Sequence, residues 1–90
     1  MRDPLHALEE AIAAGDDLRA EEAARSVGQL GDAVLPTLTE WQAAPDRDRR
    51  WWAVRALAAV GTPRAVAALI AALEDPDPDV RCLLYTSDAA

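Results

Sequence analysis

The chain repeats itself with a spacing of about 30 residues, and this repeat constrains the fold more than any other feature. Pro45–Arg50 aligns with Pro76–Arg81 at an offset of 31 residues, and Ala23–Gly31 aligns with Ala53–Gly61 at an offset of 30. A period in this range is typical of stacked supersecondary units, each of which buries its apolar side only against its neighbours. The repeat therefore predicts a layered stack rather than one closed core.

The second copy of the unit has the pattern of a helical hairpin. A helix is predicted over Asp48–Val60, with Gly61 as its left-handed C-cap. Thr62 before Pro63 is an N-cap signal, and the helix that it starts should end where Pro76 excludes helical backbone from the preceding residue. A connection this short places the two helices antiparallel.

Three more helices are predicted upstream, over Asp3–Ala14, Leu18–Leu30 and Ala33–Ala43. Gly28 lies inside the second of them and costs about 1 kcal/mol relative to alanine. We expect a close helix crossing at Gly28 to offset that cost. With the hairpin and a helix beginning at Pro78, the prediction is five helices and the start of a sixth.

The helix after Thr62 has four large aliphatic residues on one face. They are Val66, Leu69, Ile70 and Leu73. In a stack, this face should pack against the next unit, but the repeat pattern stops near Arg81. We therefore expect part of the face to be exposed and the chain to self-associate through this end.

The residues that carry the period also carry a family resemblance. Ala56–Arg81, ALAAVGTPRAVAALIAALEDPDPDVR, resembles the HEAT-like repeats of the phycobilisome-lyase type. The central copy departs from that pattern, with Arg49-Arg50 in place of Val-Arg and Trp51-Trp52 in place of small residues. The resemblance implies an all-α, HEAT-like α-solenoid of stacked antiparallel helical hairpins, truncated at its C-terminal end. Residues 1–81 would be a fragment of about two and a half repeats.

The resemblance also implies residue roles and a class of function. In the family, aspartates and arginines at the repeat boundary link adjacent repeats, and the matching residues are Asp46, Arg50, Asp77 and Arg81. The implied function is protein–protein interaction or scaffolding without catalysis, with another protein as the partner. Two alternatives are open: part of a bilin-lyase-like chromophore-attachment protein, or a HEAT-like nucleic-acid binder.

Arg25, Trp51 and Arg55 are the candidate partner-contact residues. Trp51 and Arg55 are four residues apart and lie off the predicted buried stripe, and Arg25 aligns with Arg55 one repeat earlier. Tryptophan and arginine dominate the binding energy of protein interfaces, which favours a contact patch along the inner face of the stack. The alternative is a solvated helix start with tryptophan packed between repeats.

Composition and motifs argue against several other classes. A net charge of −7, with nine arginines and no lysine, disfavours a nucleic-acid or anionic-membrane partner. The single histidine, single cysteine and isolated glycines predict no metal site, cofactor, disulfide, phosphate loop or catalytic triad. The sequence has no long apolar stretch, so it predicts neither a membrane span nor a signal peptide, and we expect a cytoplasmic protein.

Residues Cys82–Ala90, CLLYTSDAA, resemble the translated read-through of a transposon-end sequencing adapter at all nine positions. Such a tail would be non-native, and it contributes nothing to the predicted fold or function.

We expect deletion of Cys82–Ala90 to leave the helix content per residue unchanged or higher, because an adapter-derived tail has no packing role. Far-ultraviolet circular dichroism and urea unfolding of the two chains measure this. A loss of several kcal/mol in the free energy of unfolding would show instead that the tail packs against the stack.

Overall fold

The structure is a computed structural model, and it describes residues 3–78 and Val80. Arg81 and the 82–90 tail, with the predictions made for them, lie outside the described residues. The described part is helical and contains no strand. Its elements are Pro4–Ala14 (α1), Asp17–Gly28 (α2), a 3₁₀ turn at Gly31–Val34, Leu35–Gln42 (α3), Arg47–Val60 (α4), Pro63–Ala71 (α5) and a 3₁₀ turn at Ala72–Glu74.

Side-chain caps and left-handed glycines mark most of the helix ends, among them the predicted Thr62 and Gly61. Four of the helices start at a side chain that accepts a hydrogen bond from a backbone N–H of the first turn. These N-caps are Asp3, Asp16, Asp46 and Thr62, with N···O distances of 3.1–3.2 Å. Gly15 and Gly61 close α1 and α4 in the left-handed conformation that other residues rarely adopt. The local signals in the sequence therefore set the helix boundaries to within one or two residues.

Helix α4 is the centre of the fold. It packs against α2, α3 and α5 and touches α1, while α1 packs mainly on α2. By the repeat alignment, α2 and α4 are equivalent, and so are α3 and α5. The predicted all-α stack of antiparallel helical hairpins is confirmed.

The core is built largely from small residues at helix–helix contacts. Leu8, Leu38 and Leu57 are its largest fully buried side chains. Around them lie alanines of α1, α2, α4 and α5, which allow the helix axes to approach closely. The buried alanines are Ala11, Ala20, Ala23, Ala24, Ala53, Ala56, Ala65 and Ala72. A thin, layered core of this kind fits an alanine-rich chain with 4% aromatic residues.

Two assignments to the buried faces were wrong. By helical spacing, the predicted helix Leu18–Leu30 places Leu30 on the same face as Val27, but Leu30 is 43% exposed, because α2 ends at Gly28 and Leu30 lies in the following turn. Val54 was not assigned to the core, yet it is buried against Ala72 and Val80. The face of α4 that buries Val54 points toward the end of α5 and the residues after it.

The inward face of α5 and of the 3₁₀ turn after it is formed mainly by alanines, with Leu69 beside them. Ala65 and Ala72 are buried and Leu69 is half-buried. Val66, Ile70 and Leu73 are 48%, 61% and 47% exposed. The expectation that part of the apolar face is open to solvent is therefore confirmed. We call these three residues the α5 row.

Helices α2 and α4 approach each other closely at Gly28. A Cβ atom built on Gly28 would lie 2.7 Å from the backbone carbonyl and the Cβ of Ala59. No side chain fits there unless α2 and α4 move apart. The close crossing expected from the sequence is thus present.

We expect Gly28→Ala to destabilise the chain by about 1–2 kcal/mol. Overpacking at the crossing costs about 1–3 kcal/mol, and the gain in helix propensity of up to about 1 kcal/mol only partly offsets it. Urea unfolding measures the change in free energy. Ser26→Ala, on the exposed side of the same helix, is the control and should shift stability by less than about 0.5 kcal/mol. If Gly28→Ala and Ser26→Ala have the same free energy of unfolding, the close crossing is contradicted.

Candidate protein-contact surfaces

Arg50 lies at the boundary between the two repeats. Its Nε donates to Asp75 Oδ2 at 3.0 Å, and its Nη1 donates to the carbonyl oxygens of Ala44 and Pro45 at 2.9 and 3.0 Å. The side chains of Arg50 and Asp75 are only 15% and 8% exposed. The guanidinium thus joins the loop before α4 to the residue that follows the α5 hairpin.

The other predicted inter-repeat residues have different contacts. Asp46 caps its own helix through a hydrogen bond from the N–H of Asp48. Asp77 lies 3.6 Å from the Nε of Arg47, and its backbone N–H donates to Asp75 Oδ1 at 2.8 Å. Asp75 is therefore the carboxylate at the boundary that the sequence did not single out. Its position directly before Pro76, where the preceding repeat has Ala44 before Pro45, was the available signal.

The predicted contact residues Arg25, Trp51 and Arg55 surround a carboxylate. Glu21 of α2 accepts a hydrogen bond from Arg55 Nη2 and lies 3.7 Å from Arg25 Nε. Trp51 was predicted to lie off the buried stripe, but it is half-buried and packs against both parts of the core, with its ring 4.6 Å from that of Trp52. The two arginines are therefore brought together, but in an ion-pair network rather than as a bare basic row.

A second arginine of α4 joins three helices. Arg49 lies over the ring of Trp41 in α3, 5.1 Å from its centroid, and its Nη1 lies 3.3 Å from Glu9 of α1. Cation–π contacts of this geometry contribute about 0.5–1 kcal/mol at exposed sites. Nothing in the sequence signals this contact, because it depends on how α1 and α3 approach the start of α4.

A hydrogen bond also connects equivalent positions of successive repeats. Thr62, the N-cap of α5, donates its hydroxyl hydrogen to Asp32, which lies one repeat earlier. The same threonine oxygen accepts the N–H of Ala65. One side chain thus caps a helix and joins two repeats.

The α5 row is the exposed apolar surface of the second hairpin. Its three side chains recur at helical spacing, with the exposed small residue Ala67 beside them. No charged residue occurs between Arg64 and Glu74. The row is therefore a smooth, uncharged ridge of the kind that packs against another helix.

A cleft of about 500 Å³ lies between the C-terminal ends of α3 and α5. Its surface is mostly apolar, and Arg50 and Asp75, which line it, are already paired with each other. Gln42 at its rim donates to the carbonyl of Ala68 at 3.1 Å. Among the described residues, no group of three His, Cys, Asp or Glu side chains could hold a metal ion.

The family model for HEAT repeats matches residues 4–85 of the chain. The chain belongs to the HEAT-repeat family. The match covers all five described helices and extends four residues past Arg81. No curated protein and no solved structure matches the chain.

Membership in the HEAT-repeat family fits what the surfaces show. HEAT repeats commonly mediate protein–protein interaction or scaffolding, which requires exposed faces that are not used within the stack. Within the described residues, no helix is both long and apolar enough to cross a membrane.

We expect Arg50→Gln and Asp75→Asn each to lower the free energy of unfolding by at least about 1 kcal/mol. Either change removes the charged hydrogen bond between Nε and Oδ2 and leaves the remaining, largely buried charge without that partner. A double-mutant cycle measured by urea unfolding should give a coupling of about 0.5–3 kcal/mol. Arg25→Gln, whose side chain is 71% exposed, is the control and should change stability by less than about 1 kcal/mol. If the effects of the two single variants on the free energy of unfolding simply add in the double variant, the pair contributes nothing to stability.

Proposed function

We propose that this HEAT-repeat chain is a protein–protein interaction or scaffolding module, and that its contact surface is the α5 row. The observation that supports this is the exposure of Val66, Ile70 and Leu73 on a helix whose inward face is already filled by alanines. Leaving a large aliphatic side chain in water forfeits about 1.5–3 kcal/mol of burial. A contiguous row of three is typical of a surface that a partner covers.

The α5 row is a better contact surface than the Arg25–Trp51–Arg55 patch. Both arginines of that patch already pair with Glu21, and Trp51 already packs on the core. A partner at the patch would have to replace contacts that the fold makes for itself. A partner at the row would gain burial without breaking any contact described for Val66, Ile70 or Leu73.

The more specific hypotheses about family type, self-association and the C-terminal tail stay proposals. The pattern over Ala56–Arg81 supports repeats of the phycobilisome-lyase type, and self-association through the C-terminal end is supported by the α5 row. A nucleic-acid function gains no support from the arginines, because five of them lie within 4 Å of a carboxylate: Arg25, Arg47, Arg49, Arg50 and Arg55. The adapter origin of Cys82–Ala90 also stays a proposal.

Site-specific photo-cross-linking tests the proposed function. A benzophenone amino acid replaces Ala67, which is exposed beside the α5 row, or Leu18, which is 83% exposed on α2 and serves as the control. After irradiation in a whole-cell extract, mass spectrometry identifies the adducts. We expect a discrete protein adduct at position 67 and none at position 18.

Ile70→Asp should abolish the adduct at position 67, because it places a charge in the middle of the row. The identified partner is then purified, and its affinity for the parent chain should exceed that for Ile70→Asp by at least tenfold, about 1.4 kcal/mol. Equal cross-linking at positions 18 and 67, or an adduct that survives Ile70→Asp, would contradict the proposal.

A further inference from the structure

We infer that the cleft between the C-terminal ends of α3 and α5 binds an arginine side chain of a partner protein. Ala71 and Glu74 line this cleft, and neither belongs to the α5 row. The inference therefore goes beyond the proposed role of the row and does not depend on it. The surface of the cleft, its charge and the contacts of one arginine in its wall support the inference.

The cleft has the size and the surface that a long side chain needs. Its volume is about 500 Å³, within the roughly 300–1,000 Å³ of sites that bind small ligands. Its walls include Val54, Ala71 and Ala72, and such apolar groups suit the methylene stem of an arginine. The stem can therefore lie in the cleft while the guanidinium reaches polar groups at the rim.

The side chains that line the cleft leave one negative charge without a counterion. Arg50 and Asp75 form an ion pair, so together they carry no net charge. Glu74 also lines the cleft and is exposed, and it has no ion pair with the part of the chain that the structure describes. Its carboxylate thus makes the cleft complementary to a cation.

Two helix ends add to this negative potential. Gln42 and Ala43 line the cleft at the C-terminal end of α3, and Ala71 and Ala72 line it at the end of α5. The C-terminus of a helix carries the negative end of its dipole, roughly half an elementary charge. A cation in the cleft is therefore attracted by both helices as well as by Glu74.

Arg50 shows how a guanidinium binds in these surroundings. It donates to the carboxylate of Asp75 and to the carbonyl oxygens of Ala44 and Pro45, which follow α3. A second guanidinium has the same two kinds of acceptor, namely the carboxylate of Glu74 and the carbonyl oxygens of the helix ends. The planar, five-donor guanidinium can bond both kinds at once, so we assign arginine rather than lysine to the cleft.

The charge of the whole chain favours a partner with a basic contact surface. The net charge of −7 attracts such a surface before contact and repels acidic ones. Arg50 is the only arginine of the described residues that lines the cleft, and its guanidinium is already paired. The inferred side chain therefore comes from a second protein.

An NMR titration of the full 90-residue chain with two tripeptides tests the inference. One probe is acetyl-Ala-Arg-Ala-amide, and the other carries citrulline, a neutral group of nearly the same shape, in place of arginine. We expect the arginine peptide to shift the amide signals of Gln42, Val54 and Ala71 with a millimolar dissociation constant. The citrulline peptide should bind roughly threefold or more weakly, as expected for the loss of one partly exposed ion pair.

Glu74→Gln and Glu40→Gln separate the cleft from the overall charge. Both variants remove one exposed carboxylate, but only Glu74 lines the cleft. Glu74→Gln should weaken the arginine peptide roughly threefold and leave the citrulline peptide unchanged, whereas Glu40→Gln should change neither. Ala71→Leu narrows the cleft without loss of helix propensity and should weaken both peptides. Circular dichroism checks that each variant is folded.

Equal affinities of the two peptides would overturn the inference. Equal effects of Glu74→Gln and Glu40→Gln would overturn it too, because they would show attraction to the net charge alone. Absence of binding to the parent chain would also overturn it. If Arg81→Ala then gained binding, the occupant would be the chain's own arginine rather than a partner's. The cross-linking experiment at position 67 tests the α5 row separately, so either proposal can fail alone.

Discussion

The contact between α2 and α4 at Gly28 is the constraint on which the rest of the structure depends. Because a glycine faces Ala59 there, the two equivalent helices of successive repeats lie closer than any larger residue would permit. That spacing brings Glu21 within reach of Arg55 and Asp32 within reach of Thr62. These polar contacts between repeats therefore depend on the apolar contact between Gly28 and Ala59, because each of them needs α2 and α4 at this separation.

Much of the fold could be predicted from the sequence because its signals are local. Capping residues such as Asp16 and Thr62, the left-handed Gly61 and the aliphatic spacing each act within one or two helical turns. The 30-residue period then limits how the helices can stack. The face of α5 was harder to assign, since both Ala65 and Ile70 are apolar and only the neighbouring helix decides which of them is covered.

The contact surfaces were less predictable than the fold, and the reasons are physical. Arg50 was identified from its place in the repeat, but its carboxylate partner depends on how the chain turns after α5, and that turn favours Asp75. Trp51 was assigned by its helical angle alone, although a ring that size also reaches sideways into the neighbouring part of the core. Long side chains make contacts beyond their own helix face. Helical periodicity therefore predicts the position of their Cα atoms more reliably than the position of their side-chain ends.

The hydrogen bond between Thr62 and Asp32 has a consequence for how such repeats diverge. The two residues occupy equivalent positions, so two repeats that both carried aspartate here would place like charges against each other, and these would repel. An aspartate on one side needs a donor on the other, and the threonine hydroxyl supplies it. Given Asp32, the two positions have to differ, so part of the sequence difference between neighbouring repeats supports their stacking.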